Sequence, residues 1–149
     1  MEIYERNIAA EWYQHGLKAN DDFFMRFMMH WMGFNWLYNH IKAGSERAKI
    51  KEFYRQNECI FDKVDPFTFP EINVFLAGAV TDEITGAQRR KDFQNLKCGK
   101  VEGLLMTLYQ VRCNLFHGAK SLRNDRDIEL VKASAKILEE YMRVIVSHQ

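Results

Sequence analysis

One stretch limits what this chain can fold into more than any other: residues 23–38, FFMRFMMHWMGFNWLY. It is oily enough to suggest a membrane span, but a spanning helix needs about 20 apolar residues with few or no charges, and Arg26, His30 and Asn35 interrupt this run. It therefore reads as a core helix, and no membrane association is expected. Asn20, Asp21 and Asp22 offer an N-cap and an acidic first turn. Phe24, Phe27, Trp31, Phe34, Tyr38 and Ile41 then recur at steps of three and four, the period of a helix that buries one face, until AGS at 43–45 ends it.

The same period returns twice. Val101, Leu104, Leu108, Val111 and Leu115 form one stripe, and Ile128, Val131, Ala135, Leu138, Met142 and Ile145 another, flanked by Leu130, Ile137 and Tyr141 so broadly that more than one neighbour is implied. A helix is expected over Ile3–Lys18, ending near Gly16, with a charged one over Glu46–Asn57 and a polar one over AQRRKDFQNLK. Pro66 and Pro70 each remove a backbone donor and restrain the residue before them, so 61–86 reads as a connection with one short helix around Glu71–Ala79. No strand-like alternation appears. The expected fold is all-α: a single domain over 1–149, an antiparallel bundle of four to five helices.

Composition narrows the partners. With 149 residues and 47% hydrophobic content the chain can support a core of its own. A net charge of +1 is far from the basic balance of proteins that coat nucleic acid, so any polyanion has to be gripped locally. Cys59, Cys98 and Cys113 are odd in number and widely spaced, which argues against a disulfide framework and for a reducing, cytoplasmic setting. The first residues, MEIYERNIAAEW, lack the pattern of a signal peptide and read as mature sequence.

The chemistry concentrates in Tyr109–Lys120, YQVRCNLFHGAK. Relative to the face marked by Leu104, Leu108, Val111 and Leu115, Arg112 lies about 60° to one side, Asn114 about 100° to the other, and His117 nearly opposite. Met106, Tyr109, Cys113 and Phe116 run beside His117 as an apolar patch that is costly to leave in water. Arg112 and His117 are separated by about 140° around a regular helix and do not converge within one chain. Two routes could join them. The helix could unwind at Gly118, or the patch could form a two-fold interface that brings a second Arg112 and His117 across the seam; the second is preferred.

Plainer readings exist. Arg112 at the edge of an apolar stripe can be a structural ion pair, and Asn114 and His117 can bond each other at the helix end. Cys113 and His117 are spaced to share a metal, but no second close pair accompanies them, so no metal site is expected. Lys120, Arg123 and Arg126 follow the motif and could steer an RNA backbone, though charges in a loop commonly serve only solvation; Lys97 and Lys100 are weaker candidates. His30 and Asn35 read as core polar groups whose hydrogen bonds fix helix packing. Trp31, Phe34, Trp36 and Tyr38 could stack on bases, but their stripe places them in the core first.

The segment RCNLFHG resembles the signature of the HEPN superfamily of small α-helical domains. WMGFNWLYN looks like the pattern of an early HEPN helix, and RNDRDIELV like the start of the final one. The resemblance implies a metal-independent endoribonuclease acting as a toxin or conflict-system effector, without cofactors, with two motifs forming one cleft in a homodimer. Carried over by position, it makes Arg112 and His117 the catalytic pair and Asn114 the assisting polar residue, with RNA as substrate and an antitoxin or other regulatory protein as a possible partner. HEPN toxins regulated by a nucleotidyltransferase carry a tyrosine two positions after the histidine; Ala119 stands there, so that regulation is not implied. The alternative is a catalytically silent HEPN-like module that dimerises or binds a nucleotide or protein.

Overall fold

The computed structural model describes residues 1–118 and 124–148. Its described residues form α1 (Ile3–Lys18), α2 (Phe23–Tyr38), α3 (Glu46–Gln56), α4 (Glu58–Phe61), a 3-10 turn at Pro66–Thr68, α5 (Ile72–Leu76), α6 (Arg90–Lys97), α7 (Val101–Phe116) and α8 (Asp125–Ser147). The all-α expectation holds. The count of four to five helices is exceeded, because the stretch after Asn57 breaks into short pieces: α4 has 4 residues, α5 has 5 and α6 has 8. The prolines act as expected, Pro66 opening the 3-10 turn and Pro70 preceding α5. Among the described residues no helix is long and apolar enough to cross a membrane.

The contacts fall into two compact units, residues 1–65 with 135–149 and residues 66–134, so α8 contributes its first part to one and the rest to the other. In the first unit α1 and α2 form a helical hairpin. Glu2 and Glu5 close a capping box at the start of α1, Asp22 Oδ1 accepts from the Met25 amide at 3.0 Å, and Ser45 caps α3 through the Ala48 amide. The core is aromatic. Trp31 meets Phe34 edge-on at 5.3 Å, Phe34 meets Tyr38 at 5.2 Å and Phe53 at 5.9 Å, and Phe61 packs on Tyr141 at 5.0 Å. Burial of each such ring contributes roughly 2–3 kcal/mol, which is why the 23–38 run sits here.

The two polar groups expected inside α2 behave differently. Asn35 donates to the Tyr38 hydroxyl at 2.8 Å, as a bond that fixes packing should. His30 does not. Its ring is fully buried against Gly16, where a Cβ would stand 2.4 Å from Cε1, and lies 5.5 Å from the Tyr13 ring. Neither ring nitrogen has a hydrogen-bond partner among the described residues; Glu139 Oε1 stands 3.9 Å from Nε2, and Glu139 is itself paired with Arg26. Burial pushes His30 down to about 4, against the attraction of Glu139 and with the help of Arg26. The imidazole is therefore held neutral. Gly16 stands near the end of α1, as expected, and its lack of a side chain leaves the space His30 occupies.

In the second unit α6 crosses α7 closely. A Cβ at Gly103 would lie 2.4 Å from the Leu96 amide nitrogen, so this crossing has room only for glycine. The residues just before α6 reach the other side of α7 through the contacts described next.

Candidate functional site

α7 is buried far more than a one-faced helix. Residues 103–108, then Gln110, Val111 and Asn114, are all buried, and the helix emerges only at its first two residues and in its last turns. The covered arc therefore extends beyond the Leu104, Leu108 and Val111 side toward Gln110 and Asn114, while Leu115 is only half-buried. The physical reason is that α6 and the segment 79–89 supply cover on the side that a single stripe leaves open.

Two expectations change as a result. Met106, expected in an exposed interface patch, is 1% exposed and belongs to the core. Asn114, expected to project beside the catalytic pair, is 0% exposed. Its Nδ2 donates to the Thr81 carbonyl at 2.8 Å, and its Oδ1 accepts from the Glu83 amide at 3.1 Å and from Gln110 Nε2 at 3.0 Å. This side chain serves the backbone of 81–83 in the way that backbone would serve itself in a sheet.

The network continues. Gln110 Oε1 accepts from Arg89 Nε at 3.0 Å, and Arg89 Nη2 donates to Asp82 Oδ2 at 3.0 Å. Amides of Thr85 and Ile84, joined by Arg89 and opposed by desolvation, hold the Asp82 carboxyl below the usual carboxylate range. Arg89 has φ of +49°, a left-handed conformation costly for a residue that carries a Cβ, and its Nε and Nη2 are both anchored here. Asp82, Arg89 and Gln110 were not among the sequence candidates. Gln110 and Asn114, four apart in a largely apolar helix, are the one signal in the sequence of a polar seam; Asp82 and Arg89 carry none.

The outward side of the last turns is a strip. Tyr109 and Cys113 are half-buried and Phe116 is 44% exposed. The half-buried Arg112 lays its guanidinium over this strip, 4.2 Å from the Phe116 ring centre and 5.9 Å from that of Tyr109, with Nη1 3.8 Å from Cys113 Sγ. His117 is the C-cap of α7: its amide bonds back to the Cys113 carbonyl while its side chain is exposed. Gly118 follows with φ of +70°, the left-handed turn that ends helices. By helical geometry Arg112 and His117 flank the Tyr109, Cys113, Phe116 strip from its two sides.

The basic candidates divide. Arg126 is half-buried and donates from Nη1 to the Val74 carbonyl and from Nη2 to the Gly78 carbonyl at 3.2 Å, tying down the end of α5, so it is not offered to a phosphate backbone as expected. It also lines a cleft of about 260 Å³ with Thr81, Glu83 and Asp127, whose two carboxylates make a poor phosphate site. Lys120 and Arg123, like Ala119, lie outside the described residues. Among the described residues no three His, Cys, Asp or Glu side chains gather as a metal cluster would require.

No family model matches this chain, and no curated protein or solved structure matches it either.

Proposed function

We propose that this chain is a HEPN-like, metal-independent endoribonuclease, a toxin or conflict-system effector whose site is completed by a second copy. The observation that carries this reading is selective exposure: α7 is buried along most of its length, yet Arg112 and His117 lie where it surfaces, on either side of an aromatic strip. Arginine offers a planar charged fork for phosphate oxygens, and imidazole titrates in the range needed to move protons near neutrality. RNA brings its own nucleophile. One His117 takes the 2′-hydroxyl proton as that oxygen attacks phosphorus, the other protonates the departing 5′-oxygen, and Arg112 stabilises the charge that develops. The products are a 2′,3′-cyclic phosphate and a 5′-hydroxyl.

The separation of Arg112 and His117 around one helix is what calls for the second copy, joined through Tyr109, Cys113 and Phe116. Asn114 enters as a positioning residue, since its bonds to Thr81, Glu83 and Gln110 occupy it. The test is incubation with single-stranded RNA in excess chelator. Wild-type protein cuts, Arg112→Ala and His117→Ala do not, and all three give the same circular dichroism. Cutting that needs added metal, or that survives in both variants, rejects the proposal. The scaffold alternative, a silent module binding protein or nucleotide, predicts no cutting by any of the three.

A further inference from the structure

α2 has no polar face. Between Phe23 and Leu37 its charge-bearing side chains are Arg26 and His30, and both turn inward. Arg26 donates to the Leu17 and Asn20 carbonyls and pairs with Glu139, while His30 is buried. Phe27, Trp31, Phe34, Leu37 and Tyr38 fill the core side. The other side carries Met25, 44% exposed, Met32, 39% exposed, and the half-buried Met29 and Trp36. A helix that is apolar all round belongs in an interior, and this side is open.

The open stripe has the form of a seam. Met25, Met29, Met32 and Trp36 follow one another at four, three and four residues, the spacing at which one helix packs along another. α1 widens it, with the exposed Tyr4 ring 6.3 Å from Trp36, and with Trp12 and Met29 lining a groove of about 260 Å³ beside Glu11 and His15. Methionine side chains adapt to what covers them.

The ends of the stripe identify the cover. Asp21 and Asp22 are exposed before α2, outnumbering the exposed Lys18, and Lys42 is exposed after it, with His40 3.9 Å from Glu5 Oε1. A two-fold axis between Met29 and Met32 sets Met25 of one copy on Trp36 of the other and brings the Asp21 end against the His40 and Lys42 end, twice. The helix dipoles then run antiparallel. A parallel pairing would oppose acid to acid. The acidic flank also disfavours an anionic lipid surface, which attracts basic segments. We propose that the Met25, Met29, Met32, Trp36 face of α2 is an interface with a second copy of this chain, packed antiparallel about a two-fold axis.

This interface uses other residues than the Phe116 strip, so the two can be told apart by mass in solution. Two different isologous contacts link copies into an assembly larger than a dimer, measured by light scattering on the full chain. Met25→Glu with Met32→Glu is expected to reduce it to a dimer, Phe116→Glu to a different dimer, and all three together to a monomer. A wild-type dimer that Met25→Glu with Met32→Glu splits, and that Phe116→Glu leaves intact, supports the α2 interface and removes the dimer basis of the nuclease proposal. A wild-type mass that the methionine changes leave intact overturns the inference.

A second pair of variants tests the antiparallel register without touching the stripe. Asp21→Lys alone and Lys42→Glu alone each place like charges at both ends and are expected to weaken association at least tenfold at low salt; mixing the two proteins restores it. Failure of the mixture to restore association overturns the antiparallel arrangement. Flotation with phosphatidylserine vesicles, if abolished by the methionine changes while the mass stays constant, assigns the face to lipid and also overturns the inference.

Discussion

Two polar side chains stand deep inside two apolar helices, and they make opposite bargains. Asn114 in α7 is fully buried with its carbonyl and amide both engaged, to Thr81, Glu83 and Gln110. His30 in α2 is as fully buried, with neither nitrogen bonded among the described residues and a ring wedged on Gly16. An asparagine keeps its full polarity, so its burial demands partners; an imidazole can shed its charge but keeps one donor and one acceptor, so burying it unbonded has a smaller cost that the packing of the ring has to offset. The first arrangement has no titrating group at its centre and depends on geometry. The second is packed like an aromatic residue and depends on pH.

The largest effect expected from this contrast is at Asn114. Asn114→Leu strands a carbonyl, an amide and the Gln110 side chain, each costing roughly 1–3 kcal/mol, for a total of about 3–9 kcal/mol in urea denaturation. Hydrogen exchange at Glu83 should rise with it. A loss below about 1 kcal/mol would mean that the bonds around Asn114 are replaced by water and that the two sites differ less than their geometry suggests.

Next comes the pH dependence of His30. Its ordinary value of 6.5 applies to the unfolded chain and about 4 to the folded one, so between these values the unfolded state binds the extra proton. Stability is therefore complete above about pH 6.5, falls as pH is lowered toward 4, and loses nothing further below it through this group. The shift corresponds to roughly 3 kcal/mol, and His30→Leu should lack that slope, so that it appears in the difference between wild type and variant. Parallel pH profiles for the two proteins would show that the histidine is protonated in place, with Glu139 as its counter-ion.

The smallest effect sharpens the contrast from the other side. His117 is polar, in the same helix as Asn114, and exposed. His117→Ala should change stability by less than about 0.5 kcal/mol while ending the RNA cleavage proposed for this chain. A stability loss matching that of Asn114→Leu would place His117 with the structural groups.

Much of the architecture was legible. The stripes of α2, α7 and α8 were readable because burial of one face repeats every three or four residues; the cap of α8, where the Asn124 side chain accepts from the Asp127 amide, is seen in the structure. The short helices α4 and α6 and the course of 79–89 were less so, since they hold their shape through contacts and not through period. The same limit applied to the site. Arg112 and His117 stand out as charged types in an oily segment, but the side of the helix on which Asn114 falls depends on what covers it.

What the sequence determined by itself is periodicity: where helices run, which side of each is apolar, and which residue types could move a proton or hold a phosphate. Only the tertiary structure decided which polar groups face inward. Direction around a helix is set by 3.6 residues per turn, but exposure is set by the neighbours, and α6 with segment 79–89 took Asn114 and Met106 into the core while leaving His117 and Phe116 at the surface.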